Sequence, residues 1–468
     1  MQYILLLSLI TIIIGVLGYF IYKKTHSIAI IVGFLLIYYW TFNGAWLFVM
    51  DALSGFKGKD FGFTYYIIEK KMFPLHLDDN YFLAIIYYGI FFISMQLTML
   101  FMFRKKETFP TNKKLPISII TTHLLLISFI AIVLSYLCVH QKFMDAYYTK
   151  TSLYYMIRCT PNKFGTLHML FNLISVFSAY LSLVIYFSAK NVRYFYSKQT
   201  SVIYGIMIFL NILVVSLFFI IIGNKHDLMF AGIFCFLFYF SNNVKVEWKK
   251  IALIVGIIIF PLMLTDFVRG LPILNYSNMP HEEMEIYTNR KVPTYMNVLL
   301  NNEMFYGHFS MYGTLSKHVA INHGKSVLNL AESFIPKMIM PNRDEDVYTY
   351  YVNAVKAEPG QGYTIHHATG WYINFGILGL FIGGVFLGFI WSFIFRMNVR
   401  LYRIRNKFLL IAFSLAPSLF IAFIPTLIRN GFEAYKPLIV EALLMPAIVV
   451  LLAHFDVIAF LKTKFSKK

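Results

Sequence analysis

Cysteine is almost absent from this chain: three among 468 residues, Cys138, Cys159 and Cys235. Three scattered thiols make neither a disulfide framework nor a zinc-type spacing, and no C-x-x-C pair occurs. Charge is scarce too, with Asp, Glu, Lys and Arg together only 13% of the residues. That is too little to clothe a soluble domain of this length. Walker A, G-x-G-x-x-G and H-E-x-x-H signatures are all missing, so a reaction driven by a soluble nucleotide has no support in the sequence.

What the chain has instead is apolar mass: 59% hydrophobic residues, 18% aromatic, and a mean hydropathy of +0.65. A bilayer core needs roughly 20 apolar residues per helix. Stretches of that kind recur at 3–22, 27–50, 81–103, 116–139, 164–187, 201–222, 228–241, 251–268, 371–395, 408–428 and 437–461. The reading is an all-α polytopic membrane protein of about 11 spans. The stretch 228–241 has only 14 residues before Asn242 and Asn243, so a short, tilted or re-entrant helix is expected there. The first stretch lacks a basic start and meets Lys23-Lys24 rather than a small-residue cleavage site, which reads as a retained span, not a signal peptide.

Orientation follows from the basic residues. Lys23-Lys24, loops 104–115, 188–200, 242–250 and 396–407, and the tail 462–468 lie on one side. They hold 22 of the 41 Lys and Arg and, of the acids, only Glu107 and Glu247. That side is read as cytoplasmic, with the N-terminus outside and the C-terminus inside. The net +19 is therefore topology-setting charge and attraction to anionic lipid, and nucleic acid is not an expected partner.

Three segments face outward in this scheme: 51–80, 140–163 and 267–370. The first carries mixed charge that can pair internally. The second has Tyr147, Tyr148, Tyr154, Tyr155 and Arg158, a pattern shared by an aromatic belt and a sugar-stacking platform. The third divides the chain into an N-terminal bundle 1–266 of about eight spans, an extracytoplasmic loop 267–370, and C-terminal helices 371–468 of about three. Within it Glu282-Glu283-Met284-Glu285 reads as a solvated run. Apolar residues at helical spacing (Met304, Phe305, Phe309, Tyr312, Leu315, Val319) predict one or two amphipathic helices on the outer surface or over the bundle. Phe334-Ile335-Pro336-Lys337 and Gly360-Gln361-Gly362 predict turns, with Arg343 beside three acids between them.

The most specific stretch is His366-His367-Ala368-Thr369-Gly370-Trp371, running into Asn374-Phe375-Gly376-Ile377-Leu378-Gly379. Its glycines predict close helix packing. Adjacent histidines at a membrane boundary offer a proton donor and acceptor near neutral pH.

The spans, the single long outer loop, the Phe-Ile-Pro-Lys stretch and the His-x(3)-Gly-Trp…Asn-Phe-Gly-x-x-Gly run together resemble the oligosaccharide repeat-unit polymerases, the Wzy-type enzymes of O-antigen and capsule assembly. More distantly they resemble the O-antigen ligases. In residues the likeness is confined to 223–270 and 334–379. It implies a GT-C-like glycosyltransferase of the outer face of the cytoplasmic membrane, needing neither metal nor other cofactor. The substrate would be an undecaprenyl-pyrophosphate-linked oligosaccharide, with a chain-length regulator an open question. Relatives often have Gly-x-Arg where this chain has Gly223-Asn224-Lys225, and lysine cannot make the same bidentate fork.

That chemistry calls for cations at the leaving pyrophosphate and a base at the acceptor hydroxyl. Arg269, Lys225, Arg343 and Arg158 or Arg429 are the outward cations. His366 or His367 is the expected base and Asp266 the outsider, with a structural Asp266–Arg269 pair as its plainer reading. The competing functions are an O-antigen ligase, which shares the donor, and a polysaccharide flippase, which calls for charges along the spans. Such charges are few, Glu441 being the clearest.

Overall fold

The computed structural model of the chain describes residues 1–55, 77–103, 121–149, 153–158, 162–188, 198–242, 248–269, 304–335, 339–356, 364–399 and 407–454. Cys159, the 282–285 acidic run, Pro336, Lys337 and the 360–362 glycine turn lie outside the described residues, as do the side chains of Asp266, Arg269 and Arg158.

In chain order the helices are α1 (Gln2–Thr25), α2 (Ile28–Leu53), α3 (Asp79–Met102), α4 (Thr121–Thr149), α5 (Leu153–Arg158), α6 (Gly165–Ser188), α7 (Lys198–Ile221), α8 (Lys225–Asn242) and α9 (Trp248–Arg269). There follow α10 (Met304–Ser316), α11 (Lys325–Glu332), α12 (Val347–Val355), α13 (His367–Val399), α14 (Lys407–Arg429) and α15 (Phe432–Ala453). Among the described residues, eight helices are long and apolar enough to cross a membrane: α1 to α4, α6, α7, α13 and α15. The protein is an all-helical, multi-pass membrane protein. The other three expected spans, 228–241, 251–268 and 408–428, coincide with α8, α9 and α14.

The helices do not group in chain order. One compact unit comprises 1–109, 279–399 and 423–439, and a second comprises 110–278, 400–422 and 440–468. Among the described residues, the 304–370 part of the polar interruption groups with α1, α2, α3 and α13. Side-chain complementarity, not sequence neighbourhood, decides which helices share a core.

In the first unit α3 and α13 lie unusually close. A Cβ built at Gly384 would stand 2.5 Å from the Phe91 carbonyl oxygen, and one at Gly388 would stand 2.5 Å from that of Met95. These glycines therefore serve backbone-to-backbone packing, as expected. Gly376 serves a different end: at φ 61° and ψ −146° it breaks α13 one third of the way along, a conformation closed to side-chain-bearing residues. Gly384→Ala should force the two helices apart and cost about 1–3 kcal/mol. A thermal unfolding midpoint in detergent that matches the parent would contradict this packing.

The second unit is built on α4 and α6, whose contact is polar at its centre. Ser135 Oγ donates to Asn172 Oδ1 at 2.6 Å and lies 2.9 Å from His168 Nδ1, while Asn172 Nδ2 donates to His168 Nε2 at 3.1 Å. His168 is a packing residue, its two ring nitrogens facing Ser135 and Asn172 inside the α4–α6 contact. Helices α7, α8 and α9 belong to this unit, together with the first part of α14 and the last part of α15.

Candidate functional site

The polar centre of the first unit is built around α10. Every residue from Gly307 to Thr314 is buried, polar ones included. The expectation of one or two amphipathic helices on the surface or over the bundle is corrected for α10, whose residues 307–314 are enclosed, whereas α11 in the same stretch is half-buried or exposed but for Ser326. Residues 307–314 tolerate this because the side chains of His308, Ser310, Tyr312 and Thr314 find hydrogen-bond partners within the unit, which removes most of the desolvation cost.

Those partners come from three helices. Tyr88, buried in α3, donates its hydroxyl to the His308 carbonyl at 2.6 Å and accepts the Met311 N–H at 3.2 Å. Ser310 Oγ donates to the Gly307 carbonyl at 2.6 Å, lies 2.9 Å from Thr369 Oγ1, and accepts the His366 N–H at 3.0 Å. Asp78 caps α3 by accepting the Tyr81 N–H at 2.8 Å, and its second oxygen accepts the Tyr312 hydroxyl at 3.2 Å. From α2 comes Thr41, inside a π-helical turn, Tyr39–Asn43. Such a turn breaks the regular ladder and lets a carbonyl bond elsewhere. Gly44 beside it makes room, since a Cβ there would stand 3.2 Å from His308 Cβ.

Three histidines meet here, and their partners define their tautomers. His308 Nδ1 faces the Thr41 carbonyl at 3.0 Å and so carries hydrogen, while Nε2 accepts the Tyr81 hydroxyl at 2.8 Å. His366 Nδ1 accepts the Ala368 N–H at 3.1 Å, capping the first turn of α13, so Nε2 carries hydrogen and donates to Thr41 Oγ1 at 3.0 Å. His367 Nδ1 donates to the carbonyls of Gly431 (2.7 Å) and Leu427 (3.1 Å), and its Nε2 accepts the Tyr435 hydroxyl at 3.0 Å. Burial pushes His308 down to about 4 and holds His366 well below the usual imidazole range, the neighbouring histidines adding to the latter. All three are neutral cross-links. Deprotonating an acceptor hydroxyl through His366 or His367 first requires breaking one of these bonds.

Arg343 is also in this unit. Its Nε donates to the Met340 carbonyl at 3.2 Å and its Nη2 to that of Ile335. In this structure the guanidinium closes its own loop, a use that the sequence, with three acids alongside, did not suggest.

Of the remaining predicted residues, Arg429 belongs to the first unit, and Lys225, Asp266, Arg269 and Arg158 belong to the second. Helices α8 and α9 pack together and are joined by five residues, 243–247, so the chain must reverse and the pair is antiparallel. Lys225 at the start of α8 therefore lies at the same end as Asp266 and Arg269 in the last turn of α9. At about 1.5 Å per residue these ends of the two helices are level to within roughly two turns. Gly223, at φ 68°, turns the chain from α7 into α8. Just beyond it Asp227 receives the Asn224 Nδ2 donor at 2.8 Å on one oxygen and His226 Nδ1 at 3.1 Å on the other. Arg158 ends the short α5.

His308, Thr41, Tyr81, Tyr88 and Ser310 went unrecognised in the sequence. The signal was present in α10, where His308, Ser310 and Thr314 interrupt the apolar spacing on every side, a pattern that marks a buried polar helix rather than a surface one. Comparison of the chain with protein-family models, with curated proteins and with solved structures returns no match.

Proposed function

We propose that this protein polymerises lipid-linked oligosaccharide repeat units on the outer face of the cytoplasmic membrane, moving the growing glycan from undecaprenyl pyrophosphate to a sugar hydroxyl of the next unit. The feature that supports this reading is that Lys225 opens α8 and Arg269 closes α9, which sets both positions at the same end of the α8–α9 hairpin. A cationic pair at a helix-end boundary in an otherwise apolar chain suits a pyrophosphate headgroup held in the interface, where low dielectric strengthens each charge contact. The eleven-span topology, with the 267–370 segment outside, is part of the same proposal.

In this reading Lys225 and Arg269 bind the pyrophosphate and stabilise the charge that develops on it as it leaves. His366 and His367 orient: they tie the first turn of α13 to α2 and to the 427–435 turn, so the outer end of the first unit is rigid. Arg343 and Arg158 are less well supported as ligands, the first by its loop bonds and the second by its place on a short separate helix.

The test is reconstitution of the purified protein with lipid-linked repeat units alone. A polymerase converts them to a ladder of longer glycans on the same lipid. A ligase leaves them unextended until lipid A core or another acceptor is supplied. Transfer of unextended lipid-linked units across vesicles would favour a flippase. Either of the last two results would overturn the proposal.

A further inference from the structure

Gly376 does more than bend α13; it doubles the chain back. The Trp371 ring stands 6.1 Å from that of Phe386, and a Cβ at Gly383 would stand 2.5 Å from the indole. On one straight helix Trp371 and Phe386 would be roughly 22 Å apart. Residues 367–375 therefore lie against the first turns of 377–399, and Phe375–Leu378 is the tip of a hairpin. The level of the tip follows from α3. His367 faces Phe91 and Tyr372 faces Tyr87, so 367–375 runs toward the start of α3. Gly384 packs on the Phe91 carbonyl, which sets Gly376 level with about Leu83, roughly one turn from Asp79. Asp78 and Asp79 are the polar end of that span, so the tip sits at a membrane boundary.

The turn between α10 and α11 rests on this tip. The Asn322 N–H donates to the Ile373 carbonyl at 2.8 Å, and a Cβ at Gly324 would stand 3.1 Å from the Phe375 ring. Large apolar side chains stay uncovered around the junction: Ile321, Leu328 (58% exposed), Phe375, Ile377 and Leu378 (71%). They run on into Phe381, Ile382, Val385 and Phe389, the exposed and hence lipid-facing side of α13.

Bases crowd the same turn. Lys317, His318, His323 and Lys325 are all exposed, and no Asp or Glu occurs between Glu303 and Glu332. None of these four side chains has a hydrogen-bond or ion-pair partner among the described residues. Lys325 stands on the exposed face of α11, one turn before Leu328. Gly324, at φ 83°, brings no side-chain acceptor to the start of that helix, an end that favours phosphate. A basic rim beside an apolar strip suits a surface that enters the headgroup layer.

We infer that the α10–α11 turn and the α13 tip together form a binding surface for an anionic phospholipid of the surrounding bilayer. Ile321, Leu328, Phe375 and Leu378 enter the acyl boundary of the leaflet at that end. Lys317 and Lys325, with the two histidines beside them, hold the lipid phosphate. The surface lies wholly within the first unit and stands whether or not the protein is a polymerase.

The experiment uses the full-length protein in phosphatidylcholine nanodiscs with and without phosphatidylglycerol. A fluorophore on Leu328→Cys, in a Cys138→Ser/Cys159→Ser background, should be quenched by brominated lipid and shielded from aqueous iodide. Affinity for phosphatidylglycerol, read by native mass spectrometry, should fall about 30-fold in Lys317→Gln/Lys325→Gln. The Lys317→Arg/Lys325→Arg protein should keep wild-type affinity, which separates charge from shape. Affinity within about threefold of wild type in the glutamine variant overturns the proposal, as does a label that iodide reaches and brominated lipid does not. Loss of undecaprenyl phosphate binding with phosphatidylglycerol binding intact also overturns it, by giving the basic cluster to a polyprenyl substrate instead.

Discussion

Acidification from neutral pH to about pH 4 should cost the first unit about 3 kcal/mol of folding stability through His308 alone. The unfolded imidazole takes up its proton as pH falls through 6.5, whereas the folded one resists until about 4. The unfolded state thus binds more protons over that interval, so stability is fully present above pH 6.5 and is lost steadily down to about 4. The cause is local: a proton on Nε2 would face the Tyr81 hydroxyl, which now donates to that nitrogen, and the cation would have no water around it. His366 shifts in the same direction and adds to the loss. Thermal unfolding in detergent across this range measures it. His308→Gln should lower the midpoint at neutral pH and flatten the acid slope, and a parent midpoint that stays level down to about pH 4.5 would sink the assignment of neutral, buried imidazoles.

If the protein is the polymerase proposed above, replacing Arg269 with alanine should slow repeat-unit extension by about 10²–10³-fold at saturating lipid-linked substrate. A cation that meets negative charge developing in the transition state is worth roughly 2.7–4 kcal/mol, against about 0.3–1 kcal/mol for one that only complements the negative end of a helix dipole. Arg269 ends α9, so both roles are open to it, and the magnitudes separate them. A catalytic role predicts a large rate loss with little change in the unfolding midpoint. A dipole role predicts a small change in stability and none in rate. Lys225→Ala should resemble Arg269→Ala, and Lys225→Arg should retain activity because it restores the two-pronged donor that a lysine lacks.

How much of this was legible beforehand differs between the two halves of the problem. Long uncharged runs admit little but helices in a membrane, so α1 to α4, α6, α7, α13 and α15 coincide with expected spans. Gly384 and Gly388 could be read as packing residues because only a missing side chain lets two backbones meet. The surface placement expected for an amphipathic helix did not hold for residues 307–314 of α10, because apolar spacing says which residues seek burial. It does not say whether the polar ones between them will be buried too. His308 and Ser310 went inside because Tyr81, Tyr88, Thr41 and Thr369, each from a distant part of the chain, supply hydrogen bonds there, while Thr314 donates back to the Ser310 carbonyl within α10.

The histidines make the same point in chemical terms. The sequence by itself determined that two imidazoles stand at the threshold of α13 and that an imidazole sits beside an aspartate at the start of α8. It could not decide their protonation, because a tautomer is set by what each ring nitrogen faces. Only the tertiary structure brings the Ala368 N–H and Thr41 to His366, and the Gly431 carbonyl and Tyr435 to His367, making both neutral cross-links. His226 and Asp227 are adjacent in the chain, yet their contact depends on Gly223 turning α7 into α8 and on Asn224 holding the carboxylate from its other side. Membrane character is a property of composition, because burial in lipid sums over many residues. The roles of single polar groups depend on a few directional bonds, and those exist only once distant segments have packed.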